Sequence, residues 1–92
     1  MIKGFRSKAL KLFWMKGDAS RLPADQITRI RRVLVALDDA KTPEEMNTPG
    51  NRLHELKGDR ADIWSVTITG NWRITFRFDG ADVVLLDHED YH

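Results

Sequence analysis

Cysteine is absent from this 92-residue sequence, which removes any disulfide framework and any thiolate site and fits a reducing compartment. Proline occurs three times and glycine six, and nowhere do they gather into a linker. With no internal repeat either, residues 1–92 read as a single domain. Long apolar runs are missing too. The longest, 33–37, is five residues, against the roughly 20 that a membrane-spanning helix needs. The first residues, Met1-Ile2-Lys3-Gly4-Phe5, lack the apolar stretch of a signal peptide. The expectation is a soluble, cytoplasmic protein with no membrane association. At this length the chain buries somewhat over ~60% of its unfolded surface, enough for one core.

Net charge is small, only +1, but its distribution is uneven. Residues 1–37 hold nine Lys and Arg against two Asp, a net +7, whereas 38–92 carry a net −6. Such asymmetry points to a polyanionic partner. The plainer alternative is a set of solvated helix faces that happen to be basic.

The most informative stretch is 72–78. Trp72, Ile74, Phe76 and Phe78 alternate with Arg73, Thr75 and Arg77, the period-2 pattern of a strand buried on one side. The apolar residues fix the register, because a one-residue slip would drive two arginines inward. The polar face then presents two guanidiniums with a threonine between them, expected to lie close enough together to flank a phosphate.

In chain order, 2–5 is a short candidate strand and 7–16 a helix with Leu10, Phe13 and Trp14 as its apolar stripe and Gly17 as its stop. Pro23 starts a second helix whose buried face is Ile27, Ile30, Leu34 and Leu37. Lys8 and Lys11 lie off the first stripe, and Arg29, Arg31 and Arg32 are expected along the exposed side of the second helix. Thr42-Pro43-Glu44-Glu45 reads as a capping box that opens one helical turn. A charged loop or short strand, 53–60, leads to an alternating strand, 63–68, and Thr69-Gly70-Asn71 turns it into 72–78. Asp79-Gly80 makes a second hairpin to 83–86, apolar on both faces like an interior strand, and the tail 87–92 continues extended. The fold class is α+β, two layers: an N-terminal strand and two helices packed on a mainly antiparallel C-terminal sheet. The expected core includes Phe13, Trp14, Ile30, Leu34, Leu37, Trp72, Ile74 and Phe76.

Three segments together carry a family likeness: Leu56-Lys57-Gly58-Asp59-Arg60, Asn71-Trp72-Arg73-Ile74-Thr75-Phe76, and the ending Glu89-Asp90-Tyr91-His92. With these the chain resembles the HigB toxins, the host-inhibition-of-growth branch of the RelE superfamily, along its whole length. The resemblance implies a RelE-like fold and a ribosome-dependent mRNA endonuclease that cuts message in the ribosomal A site, against 16S rRNA. It also implies neutralisation by a HigA-type helix-turn-helix antitoxin, with operator DNA bound only through that complex. Carried over residue by residue, the family's functional set falls on His54, Lys57, Arg73, Asp90, Tyr91 and His92, and each matches in type.

The chemistry that this resemblance implies has its own requirements. Metal-free RNA cleavage needs a base for the 2′-hydroxyl proton, cations for charge developing on the phosphate, and an acid for the leaving 5′-oxygen. Arg73 and Lys57 suit the phosphate; His54, Asp90 and His92 are the proton-handling candidates; Tyr91 either stacks on a base or shares in proton transfer. Lys8, Lys11, Arg29, Arg31, Arg32 and Arg77 are the candidate RNA- and ribosome-binding cations. Arg77 has no counterpart in the family and a solvated edge position is the favoured role for it, while for Lys57 the plainer alternative is a surface ion pair with Asp59. His88 and His92, four apart, would share a metal only on a helix, so no metal or other cofactor is expected. The competing class is a non-enzymatic binder resembling the ParE toxins, which act on a protein target, gyrase. Lys57, Arg73 and the Asp90-Tyr91-His92 ending favour the nuclease.

Overall fold

The computed structural model describes residues 1–90; Tyr91 and His92, two of the candidate site residues, lie outside the described residues. Helix α1 spans Lys8–Lys16. Ser7 caps it, its Oγ accepting the Leu10 amide at 3.1 Å. Gly17 ends it in the left-handed region at φ 72°, where a side chain would be strained. The second helix begins later than Pro23 predicts. A 3-10 turn at Ala24–Gln26 comes first, and α2 runs Ile27–Asp39. Leu10, Phe13, Ile30, Val33, Leu34 and Leu37 are buried along the two stripes.

The expected single turn after Thr42 is a 3-10 turn, Pro43–Met46. The Glu45 carboxylate accepts the Lys41 and Thr42 amides at 2.8 and 2.9 Å, the reach-back half of a capping box. Four strands follow: β1 His54–Glu55, β2 Trp64–Thr69, β3 Trp72–Asp79 and β4 Asp82–Asp90. They form one antiparallel sheet in the order β1-β2-β3-β4. Ile74 and Phe76 of β3 and Val66 of β2 are fully buried beneath the helices, each such side chain worth roughly 1.5–3 kcal/mol. Trp14 and Trp72, expected in the core, pack against it half-buried instead.

The expected N-terminal strand is reduced to two isolated parallel bridges, Ile2 to Val83 and Phe5 to Leu86. They nevertheless cover the outer edge of β4: the Lys3 amide donates to the Val83 carbonyl at 2.8 Å, and the Leu86 amide to the Gly4 carbonyl at 3.2 Å. This explains why 83–86 reads as an interior strand although β4 closes the sheet.

One irregularity in β4 decides which way its end faces. Thr75 pairs with Asp87 and Arg77 with Val84, so three steps along β4 oppose two along β3. The extra residue is a β-bulge, and within it Leu85 adopts φ 55°. Beyond the bulge, His88 pairs with Ile74 and shares its helix-facing side, and Glu89 pairs with Arg73 on the other.

Candidate active site

The sheet face turned away from the helices carries two cross-strand rows. One runs His54, Ser65, Thr75, Asp87 from β1 to β4; the next runs Thr67, Arg73, Glu89. The face is open at one end and covered at the other. At the open end a cleft of about 280 Å³ is lined by Arg52, His54, Ser65, Thr67 and Arg73, with Gly70, Asn71 and Trp72 at the β2–β3 turn. At the covered end Thr75 is only 1% exposed, because the β1–β2 connection folds over it. Within that connection the turn Gly58–Arg60 aims Arg60 across β3. Its guanidinium donates to both carboxylate oxygens of Glu89, at 3.0 and 2.5 Å. The Thr75 hydroxyl donates to Glu89 as well, at 2.5 Å.

This cluster sets the local electrostatics. The hydrogen bonds from Arg60 hold the Glu89 carboxyl below the ordinary carboxylate range, helped by the Thr75 hydroxyl and the nearby Arg73 charge and opposed by burial. Reciprocally, Glu89 raises the Arg60 guanidinium. On the helical side His88 stacks on Trp72, ring centroids 4.3 Å apart, and its Nε2 lies 2.8 Å from Gln26 Oε1. Burial lowers the His88 pKa, keeping the ring neutral, against the pull of Asp87 and Asp90.

His54 and Arg73 line the same cleft. Lys57 is exposed at the head of the Gly58–Arg60 turn and is not among the residues that line the cleft. Asp90 pairs with Trp72, so the register puts it on the side of Trp72 and His88 and makes Glu89 the residue opposite Arg73. Arg73 and Arg77 do not form the expected close pair. Four residues along a strand separate them by roughly 13 Å, and Arg77 pairs with Val84, away from the cleft. The cleft adds Arg52, unmarked in the sequence because it precedes β1 in an irregular segment.

The basic helical residues divide. Lys8, Lys11, Arg31 and Arg32 are exposed, and Arg31 sits 5.3 Å over the Phe13 ring. Arg29 overturns its expected place on the exposed surface. Its Nη2 donates to the Asn51 side chain at 2.7 Å and to the Thr67 and Gly50 carbonyls at 2.9 and 3.2 Å, tying α2 to the 48–51 turn and β2. Among the described residues no three His, Asp or Glu side chains converge as a metal site requires.

Residues 3–92 match the family described as RelE-like toxin of type II toxin-antitoxin system HigB. The chain belongs to this family. Among curated proteins it is similar to "Endoribonuclease HigB" of Proteus vulgaris, 48% identical over 92 residues that cover all of both chains. Among solved structures it is similar to a "YoeB/ParE toxin from Agrobacterium tumefaciens" at TM-score 0.56 and 20% identity, covering 100% of this chain and 99% of that one, a likeness of fold. As a HigB-like toxin of a type II system it has an antitoxin as partner, and no helix among the described residues is long and apolar enough to cross a membrane.

Proposed function

We propose that this endoribonuclease toxin arrests growth by cutting messenger RNA in the A site of the translating ribosome, in the cytoplasm, without a metal ion. The observation that carries the reading is the cleft lined by both His54 and Arg73 on one sheet face, in a chain 48% identical over its whole length to a protein named as an endoribonuclease.

In this reading a base takes the 2′-hydroxyl proton, the 2′-oxygen attacks the adjacent phosphorus, and the 5′-oxygen leaves with a proton from an acid. The products are a 2′,3′-cyclic phosphate and a free 5′-hydroxyl, and no other reactant is consumed. Arg73 and Lys57 stabilise the charge on the phosphate. His54 and His92 handle the protons, Asp90, which the register sets on the Trp72 side, joins them from around the end of β4, and Tyr91 stacks on a base or shares in the transfer. Lys8, Lys11, Arg31, Arg32 and Arg77 meet 16S rRNA and message, a contact that weakens with salt. A HigA-type helix-turn-helix antitoxin neutralises the toxin, and operator DNA is reached only through that complex. Its docking surface is the basic helical layer. There Lys8, Lys11, Lys16 and Arg21 surround a shallow groove floored by Leu12 and Met15, which fits an acidic amphipathic segment.

Deleting residues 90–92 tests the site. Folding is expected to survive, since chain ends contribute little to a core, while cleavage mapped by primer extension and growth arrest are both lost. His92→Ala alone lowers the cleavage rate by roughly 10²–10⁴-fold if its ring transfers a proton. Retained cleavage by the shortened chain would remove the site assignment. Toxicity without cleavage would favour a binder of a protein such as gyrase, and cleavage without ribosomes would remove the ribosome dependence.

A further inference from the structure

We propose that Glu89 is a positioning residue of the cleavage site: through Arg60 it fastens the turn that begins at Lys57 to the strand that carries Asp90, over the strand that carries Arg73. The proposal rests on the endoribonuclease reading for its effect on cleavage, but the fastening itself is a property of the fold.

Arg60 and Glu89 reach the same face from towards opposite edges of the sheet. Arg60 sits in the connection between β1 and β2, Glu89 near the end of β4, and the pair spans β3 between them. The two terminal guanidinium nitrogens each donate to one carboxylate oxygen, Nη1 to Oε1 and Nη2 to Oε2, a fork-on-fork geometry that fixes direction as well as distance. The buried Thr75 hydroxyl supplies a third donor from below, so the carboxylate cannot swing. Lys57 immediately precedes the same turn that ends at Arg60. Between them Gly58, at φ 72°, confers backbone freedom that would let Lys57 wander if Arg60 were loose. Glu89 also stands directly across from Arg73, where its negative charge favours the guanidinium staying in a half-buried place before a phosphate arrives. With three donors on its oxygens and its pKa lowered, Glu89 is a poor proton acceptor, which separates this role from general-base catalysis.

The experiment compares Glu89→Gln, Arg60→Gln and the double variant in ribosome-dependent cleavage and in amide hydrogen exchange. Glu89→Gln is expected to lower kcat by roughly 10²-fold with KM little changed, the cost of misplacing groups around the reacting phosphate. The pH profile keeps its shape, Arg60→Gln matches it, and the double variant is no worse than either single one, because the two act as a unit. Exchange at residues 57–61 accelerates in each, while β3 stays protected. Should Glu89→Gln fail to fold, Thr75→Val removes one hydrogen bond only and is expected to move the same quantities in the same direction by less. Additive losses, a displaced limb of the pH profile, unchanged kcat or unchanged exchange at 57–61 would each overturn the proposal. If the parent chain does not cleave at all, the endoribonuclease reading falls, and the exchange measurement still decides whether the pair orders the Lys57 turn.

Discussion

Arg29 shows how a residue's charge and its task can part company. In sequence it is one of three arginines in a basic stretch and indistinguishable from Arg32. In the fold its guanidinium satisfies two carbonyls and the buried Asn51, whose side-chain amide in turn donates to the Met46 carbonyl at 2.8 Å. Arg29→Ala leaves these partly buried acceptors without their donor and is expected to lower stability by about 1–3 kcal/mol in urea unfolding. Arg32→Ala, from an exposed position, is expected to change it by less than about 0.5 kcal/mol. Equal effects would mean that the Arg29 contacts are incidental. Helical periodicity could not separate the two, because the distinction comes from a turn, 48–51, that arrives some twenty residues later in the chain. Glu89 was hidden for a similar reason: it lies within the family-like ending, yet its partners Arg60 and Thr75 are 29 and 14 residues away.

At the scale of elements, the parts legible in the sequence were those written by local chemistry: the Ser7 and Gly17 ends of α1, the Glu45 reach-back, the two hairpin turns and the alternation of 72–78. Register was not legible. The bulge in β4 and the covering of Thr75 by Arg60 arise from pairing between distant segments, and each moves a side chain relative to simple alternation. The N-terminal segment is the clearest such case. It makes too few bonds to be a regular strand, yet it occupies the β4 edge that would otherwise offer unpaired backbone groups to another molecule. Removing residues 1–6 is expected to produce self-association through that edge, visible as higher-mass species in light scattering, together with a lower melting temperature. A monomeric shortened chain as stable as the parent would show that the edge is protected by other means.

For the whole molecule, the two layers divide the labour. The helical side holds the basic half of the chain and the apolar groove, and the far side of the sheet holds the cleft. The fold class and the side bearing Arg73 followed from one strand's alternation; which end of that side is open did not, since it depends on where the 56–63 connection lies. Two groups tie the stability of the assembled layers to acidity in the same direction. Burial lowers the His88 pKa beneath its ordinary 6.5, and Arg60 lowers that of Glu89 beneath 4.5, so at each site the unfolded chain binds a proton more readily than the folded one. Their contributions are therefore complete at neutral pH. That of His88 is lost as pH falls below about 6.5 through its folded value, and that of Glu89 as pH falls below about 4.5. Melting temperature is expected to decline in these two successive ranges on acidification, with His88→Gln flattening the first and Glu89→Gln the second. A profile unaltered by both substitutions would show that neither group couples folding to protons.

The bulge at Leu85 can also be put in terms of heredity. Losing one codon at the bulge, between 84 and 87, would only restore even pairing, leaving Asp87, His88, Glu89 and Asp90 opposite Thr75, Ile74, Arg73 and Trp72; it is pairing every residue evenly, with none lost, that would exchange the two faces of everything downstream. In that bulge-free pairing His88 and Asp90 would turn to the side of Arg73, and Glu89 to the helices. The strand can therefore absorb a one-residue loss at the bulge, whereas a loss beyond it, at 88 or 89, shifts the register and rewrites the last residues at once. The chain's ending is thus meaningful only in the frame that one supernumerary residue sets, much as a message is meaningful only in its own.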